Sequence, residues 1–198
     1  GYIPRSVLSP RANVSAVVNV DVSQEGTATG VLTLPRGTKF QTSVDGTTFT
    51  YVVKDATSAE ISGVSGSKTY NFSNIGLVEG ELRTLKYRVD NDIESQKFQL
   101  SDNNADTSTL RVRVQESETS TSFDLYTQFE SLKDVDSTTK VYYLQENTSG
   151  FFEIYFGDGV NGFRPSNDNI VTLDYIVTNG DESNNATSFS LVDTPNDG

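Results

Sequence analysis

The chain has 198 residues without Cys, His, Met or Trp, and its formal net charge at pH 7 is −12. The lack of Cys and His excludes disulfides, zinc fingers and catalytic sites built on a Cys–His pair or a Ser–His–Asp triad. The acidic balance disfavours nucleic acid as a partner, and no apolar run reaches the roughly 18 to 20 residues that span a bilayer.

Alternation of apolar and polar residues predicts strands along most of the chain. The alternating runs, in chain order, are SAVVNVDV (15–22), TFTYVVKD (48–55), LKYRV (85–89), LRVRVQ (110–115), VYYL (141–144), FFEIYF (151–156) and IVTLDYIV (170–177). In the clearest run, Leu110, Val112 and Val114 share one face. Runs in which apolar and polar residues alternate, bounded by Gly, Asn, Asp or Pro, are typical of half-buried antiparallel strands. The predicted fold class is all-β, mostly antiparallel and β-sandwich-like.

One segment, Phe123 to Leu132, fits two kinds of secondary structure. Phe123, Tyr126, Phe129 and Leu132 recur every three residues, as on one side of a helix. Phe123, Leu125 and Thr127 also alternate as in a strand. The pattern alone leaves both interpretations open.

Two polar stretches, Ser62 to Lys68 and Asp134 to Thr139, are candidate joints between lobes. They predict an inserted β lobe at 63–137 and an outer β lobe made of 1–62 and 138–198. Because a translated chain begins with Met and this one contains none, we expect it to be a fragment of a longer protein.

The stretch EIYFGDGVNGFRP (153–165) is the most distinctive motif. A phosphate-binding loop would need a Lys after the glycines and a following helix, and an EF-hand would need a Glu at its twelfth position. Neither pattern is present, although a looser calcium site at Asp158 and Asn161 stays open. The prevailing interpretation is a turn after a strand, in which glycines adopt conformations that other residues avoid.

Other polar clusters give weaker indications of chemistry. The segments DNDIE (90–94) and SDNNADTST (101–109) could bind a cation, but such loops more often satisfy their own backbone through side-chain hydrogen bonds. Among 27 acidic residues, some pair always has the spacing that a glycosidase needs, so the sequence identifies no catalytic pair. The aromatic residues near 142–155 could stack on sugars, or form a core and an interface.

Several motifs in order carry a resemblance to a known family: LPRGTKF (34–40), VEGE (78–81), FQLSDNNADTSTLRVRV (98–114), VYYLQE (141–146), EIYFGDGVNGFRP (153–165) and NIVTLDYIVTNG (169–180). With them, nearly the whole chain resembles the baseplate J-like family. Within it, the chain is most similar to the baseplate wedge subunits of T4-type contractile-tailed bacteriophages.

The resemblance implies a structural protein of the virion, located in the phage tail baseplate and assembled in the host cytoplasm. Its expected partners are other baseplate wedge proteins and copies of itself, and it is expected to relay the contraction signal. It implies no enzyme activity, no catalytic residue, no cofactor and no metal, and no nucleic acid, membrane or small-molecule substrate as a partner. The implied turn residues of the family motifs are Gly37, Gly157, Asp158, Gly159, Gly162 and Pro165.

The dense aromatic residues around the fifth motif suggest Phe151 and Tyr155 as candidate interface residues, because aromatic side chains are enriched in protein–protein interfaces. The alternative function is a β-sandwich adhesin or carbohydrate-binding module of a tail or cell surface. A polysaccharide-degrading enzyme that uses Asp or Glu is a third, weaker interpretation.

Overall fold

The computed structural model of the chain describes residues 6–21, 30–62, 67–131, 135–180 and 182–192. All regular secondary structure in these ranges is β-strand, and almost all strand pairs are antiparallel, which confirms the predicted all-β class. No helix in these ranges is long and apolar enough to cross a membrane. The chain divides into two compact units: an inserted unit, Gly1–Leu8 with Leu82–Val177, and an outer unit, Ser9–Glu81 with Thr178–Gly198.

The outer unit is built on a seven-stranded sheet, with strands β1 (Arg11–Asp21), β2 (Val31–Leu34), β3 (Lys39–Val44), β4 (Thr47–Val53), β5 (Thr57–Ser62), β6 (Ser67–Glu79) and β14 (Ser190–Leu191). Their order in the sheet is β14-β3-β4-β6-β5-β2, with β1 also paired to β6. A two-residue turn joins β3 to β4, where Asp45 and Gly46 have positive φ, as a tight hairpin requires.

The hydrophobic core of the outer unit follows from the alternation in these strands. Leu32 and Leu34 of β2, Phe40 of β3, and Tyr51 and Val53 of β4 all point inward and are buried. The core is completed by Phe49, Ala59, Tyr70, Phe72, Ile75 and Leu77. Removing this apolar surface from water is the main force that holds the sheet together.

A buried carboxylate binds the residues at which the chain re-enters the outer unit. Glu79, at the end of β6, is fully buried, and its Oε2 accepts hydrogen bonds from Thr178 Oγ1 at 2.6 Å and from the Asn179 backbone N at 3.1 Å. Its Oε1 accepts a third from Asn179 Nδ2 at 2.9 Å. Two family-like motifs, VEGE and TNG, therefore meet at one polar cluster, which we call the Glu79 cluster.

The inserted unit contains the second seven-stranded sheet, with strands β7 (Glu81–Arg88), β8 (Phe98–Gln99), β9 (Ala105–Gln115), β10 (Asp124–Gln128), β11 (Val141–Glu146), β12 (Phe152–Phe156) and β13 (Ile170–Val177). Their order in the sheet is β7-β13-β9-β10-β11-β12-β8. The pair β10 and β11 is parallel, with Thr127 opposite Val141 and Gln128 opposite Tyr142.

Strand β13 lies between β7 and β9 in this sheet, and its residues from Ile170 to Ile176 are all buried. This explains why its sequence is almost continuously apolar. The one acidic residue in it, Asp174, accepts hydrogen bonds from Arg113 Nη2 at 2.6 Å and from Thr84 Oγ1 at 2.6 Å, so the buried charge is paired across neighbouring strands. In β9, Val112 and Val114 are buried in the core, as the sequence predicts.

In the segment whose pattern was ambiguous, Asp124–Gln128 form a strand, β10, whose buried side chain is Tyr126, while Leu132 lies outside the described ranges. The alternation had grouped Phe123 with Leu125, and both are exposed instead. The Phe123 ring is covered by the guanidinium of Arg113, 5.3 Å from the ring centroid. Inside the core, the Tyr126 ring packs edge-on against Phe156, with centroids 5.0 Å apart.

The unit boundaries lie elsewhere than the sequence predicted. The insertion is at 82–177, whereas the polar stretches placed it at 63–137. The first stretch connects β5 to β6, which pair antiparallel within the outer unit (its residues 63–66 lie outside the described ranges). The second lies between β10 and β11, which pair within the inserted unit. Polar composition therefore indicated loops inside the units. The chain passes between the units near the ends of strands, and composition does not distinguish those positions.

Candidate functional site

The candidate site lies in the inserted unit, where the loop 157–165 follows β12. Gly157 begins this loop and is buried. A Cβ atom at Gly157 would lie 2.4 Å from both Asn161 O and Gly162 O, so the loop backbone passes directly over this residue. Gly159 and Gly162 have φ values of 90° and 96°, a region that favours glycine. The glycines of the motif therefore serve a tightly folded backbone.

Asp158 stabilises the same turn from its side chain. Its Oδ1 accepts hydrogen bonds from the backbone N–H groups of Val160 and Asn161, both at 2.9 Å. The hydrogen bonds from Asn161 and then Val160 lower the pKa of Asp158 below its ordinary value. This carboxylate acts as the acceptor of an Asx-type turn.

A second loop, 136–139, is hydrogen-bonded to the first. Gly162 N donates to Asp136 O at 3.0 Å, and Phe163 N donates to Thr139 O at 2.8 Å. Asp136 organises its own loop, because its Oδ1 accepts hydrogen bonds from Thr138 N at 2.8 Å and Thr138 Oγ1 at 2.7 Å. The two loops therefore form one hydrogen-bonded cluster at the end of β12.

We expect Asp136 to stay ionised down to strongly acidic pH. Hydrogen bonds from the Thr138 side chain and backbone, followed by Thr139, lower its pKa from 3.8 to about 2. Because the folded pKa is below the ordinary value, the contribution of this carboxylate to stability is fully present above pH 3.8 and is lost as the pH falls through about 2. The measurement is an NMR titration of the Asp136 carboxyl carbon.

The matched variant for this titration is Thr138→Val, which removes the hydroxyl donor and keeps the side-chain size. In this variant the pKa of Asp136 should move back towards its ordinary value. A midpoint in the unchanged chain at or above the ordinary value would contradict the hydrogen-bonding explanation.

Three aromatic rings lie side by side across neighbouring strands, and we call them the aromatic ladder. Phe129, just after β10, lies 4.7 Å between centroids from Tyr143 of β11, and Tyr143 stacks on Tyr155 of β12 at 5.0 Å with an interplanar angle of 12°. All three are half-buried. Tyr143 OH donates to Asn161 O at 3.1 Å, which links the ladder to the loop 157–165.

The ladder borders a groove of about 630 Å³ in the inserted unit. The groove is lined by residues 89–96 and Phe98, by Tyr143, and by seven residues between 155 and 165. Its titratable lining residues are Asp90, Asp92, Glu94, Asp158 and Arg164, besides the two tyrosines. Four carboxylates and one guanidinium give it an acidic character.

The structure brings together most of the residues singled out in the sequence. Gly157, Asp158, Gly159, Gly162 and Pro165 lie in one loop, and Pro165 is buried against the groove. Gly37 instead belongs to the outer unit, in a turn with φ of 90° whose N–H donates to Val53 O at 2.9 Å.

The two candidate interface residues are in different surroundings. Tyr155 is in the ladder, whereas Phe151 precedes β12 and is held by Asn147, whose N–H donates to Phe151 O at 2.8 Å. Between them, Glu153 accepts hydrogen bonds from Lys97 at 2.9 Å and Gln145 at 2.6 Å. Sequence reasoning placed Phe129 only in an ambiguous pattern and Asp136 only in a polar stretch. It did not predict the pairing of Tyr143 with Tyr155, because that pairing depends on strand register.

In the segments 101–109 and 157–162, the carboxylates that could have held a cation are used by the protein itself. Asp102 accepts a hydrogen bond from Tyr175 OH at 2.7 Å and lies 3.4 Å from Arg83 Nε. Asp106 is fully buried and accepts from Ser108 N at 3.1 Å. Asp158 caps its own turn, as described above. Across the described ranges, no group of three acidic side chains is arranged to hold a metal ion.

Comparison with known proteins gives two matches. Residues 84–178 match the family model described as "Bacteriophage baseplate wedge protein gp6, third domain". The chain is also similar to the baseplate wedge protein gp6 of Enterobacteria phage T4, with 22% identity over 212 residues that cover 98% of this chain. The chain spans 30% of the length of that relative.

Proposed function

We propose that the chain is a member of the family of bacteriophage baseplate wedge proteins and a structural part of the wedge in a phage tail baseplate, because of the two similarities given above. In this role it works by assembly and without catalysis or a cofactor. It binds other baseplate wedge proteins and copies of itself. It also relays host attachment into contraction of the tail. It is incorporated into the virion after assembly in the host cytoplasm.

The observation that carries an assembly role is the aromatic ladder. Half-buried rings of Phe129, Tyr143 and Tyr155 form a continuous apolar row on three neighbouring strands. Tyrosine and phenylalanine supply large contact areas at low cost in side-chain entropy, and they are enriched where proteins bind one another. The underlying loops are fixed by hydrogen bonds, so binding would order few additional groups.

The ladder is less suited to the alternative function, a carbohydrate-binding module. Sugar rings stack on an open aromatic face, but Tyr143 lies between Phe129 and Tyr155 in the strand order β10-β11-β12. Only the outer rings of the row have a face to offer. A glycan that raises the melting temperature of the chain would support the carbohydrate-binding alternative.

We expect Tyr155→Lys to weaken association with co-expressed baseplate proteins by roughly tenfold or more, the effect of losing an interface aromatic. The substitution removes one ring of the ladder and places a charge where an apolar contact is expected. The measurement is co-purification of full-length protein with tagged baseplate components, quantified by mass spectrometry.

The control is Thr48→Lys, which adds the same charge at an exposed position of β4 in the outer unit. Circular dichroism of both variants verifies that the fold is kept. Equal recovery of baseplate components with both variants would remove the ladder as an interface. If even the unchanged chain recovered none of them, the assembly role itself would fail.

The relay of contraction has its own test. A relay requires an interface with two packing arrangements of similar free energy, so an interface variant should shift the balance between them. In particles that assemble with Tyr155→Phe, which keeps the ring and removes the hydroxyl, we expect an altered fraction of contracted tails by electron microscopy after mixing with host cells. An unchanged fraction would argue against a relay through the ladder.

A further inference from the structure

The groove beside the ladder has walls that are fixed before anything binds. On one wall, Asp90 N donates to Gln96 Oε1 at 3.0 Å, and Gln96 Nε2 donates to Arg88 O at 3.1 Å. Asn91 N donates to Asn167 Oδ1 at 3.0 Å, which ties this wall to the residues after Pro165. The opposite wall is the loop 157–165. A preformed groove binds a partner with a smaller loss of conformational entropy.

The carboxylates at the tip of the first wall are available to a partner. Asp92 and Glu94 are exposed, and neither carboxylate makes a hydrogen bond or ion pair with the described part of the chain. They flank Ile93, an aliphatic residue that is 50% exposed. The groove therefore presents an apolar contact between two free negative charges.

The charge of the whole lining selects the chemistry of the occupant. Asp90, Asp92, Glu94 and Asp158 oppose the single cation Arg164, which leaves three net negative charges. An acidic segment would be repelled, and a second copy of this chain, with a net charge of −12, would bring mostly like charge. Tyr155 also lines the groove, and Lys or Arg side chains pack favourably against aromatic rings.

We propose that this groove binds an extended, basic segment of another baseplate protein, with Lys or Arg side chains at Asp92 and Glu94 and an apolar side chain against Ile93 and Tyr155. The inference rests on the proposed function, because it names the partner of the same surface. The Arg164 guanidinium is the one group that opposes a basic occupant, so its removal should have the opposite effect to removal of the carboxylates.

The test is photo-crosslinking in assembled particles, with p-benzoylphenylalanine in place of Ile93 in full-length protein. We expect a crosslink to a peptide of another baseplate protein with net positive charge, identified by mass spectrometry. With Asp92→Lys and Glu94→Lys added, the yield should fall by about tenfold, as for charge reversal at an interface. Arg164→Ala should raise the yield, and a lower yield with this variant would contradict the inference. The control pair Glu60→Lys and Glu116→Lys, which changes net charge equally at other exposed positions, should leave it within about twofold.

An acidic crosslinked peptide, a peptide of this chain itself, or no crosslink in particles that contain the protein would each overturn the inference. An equal loss of yield with the control pair would overturn it as well, because it would show attraction to net charge alone. These results leave the baseplate role intact. Absence of the unchanged protein from particles would instead overturn the proposed function, and with it this inference.

Discussion

Gly157→Ala is expected to destabilise the inserted unit by about 3 kcal/mol, at the upper end of overpacking effects. The new methyl group would lie 2.4 Å from the carbonyl oxygens of Asn161 and Gly162. Both are backbone atoms, so relief requires the loop 157–165 to move as a whole. The move would break the hydrogen bond from Gly162 N to Asp136 O. The measurement is urea unfolding followed by circular dichroism.

Two other glycines separate the causes of this effect. At Gly30 a Cβ would meet no atom within 4 Å, so Gly30→Ala should change the free energy of unfolding by less than about 0.5 kcal/mol. Gly159 is equally open but has a φ of 90°, so Gly159→Ala should cost about 1 to 2 kcal/mol from backbone strain alone. If Gly157→Ala costs no more than Gly159→Ala, the close approach of the loop backbone is not what requires glycine.

Glu79→Ala is expected to destabilise the outer unit by about 3 kcal/mol, because it leaves three donors, among them the buried Thr178 hydroxyl, without their acceptor. The orphaned groups would be the Thr178 hydroxyl and two N–H donors of Asn179. The loss should appear in urea unfolding. Hydrogen exchange should show it as faster exchange of the Asn179 and Gly180 amides, since Gly180 N depends on Thr178 Oγ1 at 3.0 Å.

The control is Glu81→Ala, which removes an exposed carboxylate two residues further on and should cost less than about 0.5 kcal/mol. A double-mutant cycle with Thr178→Val measures the pairwise coupling directly. If Glu79 and Thr178 act through their hydrogen bond, the two costs should not add. Additive costs, or a cost equal to that of Glu81→Ala, would refute the role of the Glu79 cluster.

Local patterns in the sequence were enough to predict seven of the fourteen strands in the described ranges: β1, β4, β7, β9, β11, β12 and β13. The period of two in LRVRVQ places Val112 and Val114 in the core, and Asp45-Gly46 supplies the turn between β3 and β4. The burial pattern of this strand and this turn both depend on residues that are adjacent in the chain, so they can be predicted from the sequence. The glycine-rich motif likewise indicates a turn, and the structure adds that Gly157 is needed for space and Gly159 for its φ.

Long-range pairing could not be predicted in the same way. Glu79 meets Thr178 from 99 positions away, and nothing near either residue indicates the other. The ladder depends on the register of β11 with β12 and on a parallel pair, β10 with β11, that alternation does not specify. The boundaries at 81/82 and 177/178 follow from these pairings, so they were beyond local composition as well.

The interrupted connectivity of the outer unit has a consequence for its synthesis on the ribosome. Residues 9–81 emerge before 82–177, but β3 gains its neighbour β14, and Glu79 its three donors, only after the whole of 82–177 has been made. At about 5 to 20 residues per second, that wait lasts roughly 5 to 20 seconds. During it the nascent outer unit has an unpaired sheet edge and an unsatisfied carboxylate. The outer unit can therefore finish folding only after the inserted unit has been synthesised. Until then residues 9–81 are exposed to chaperones and to premature association.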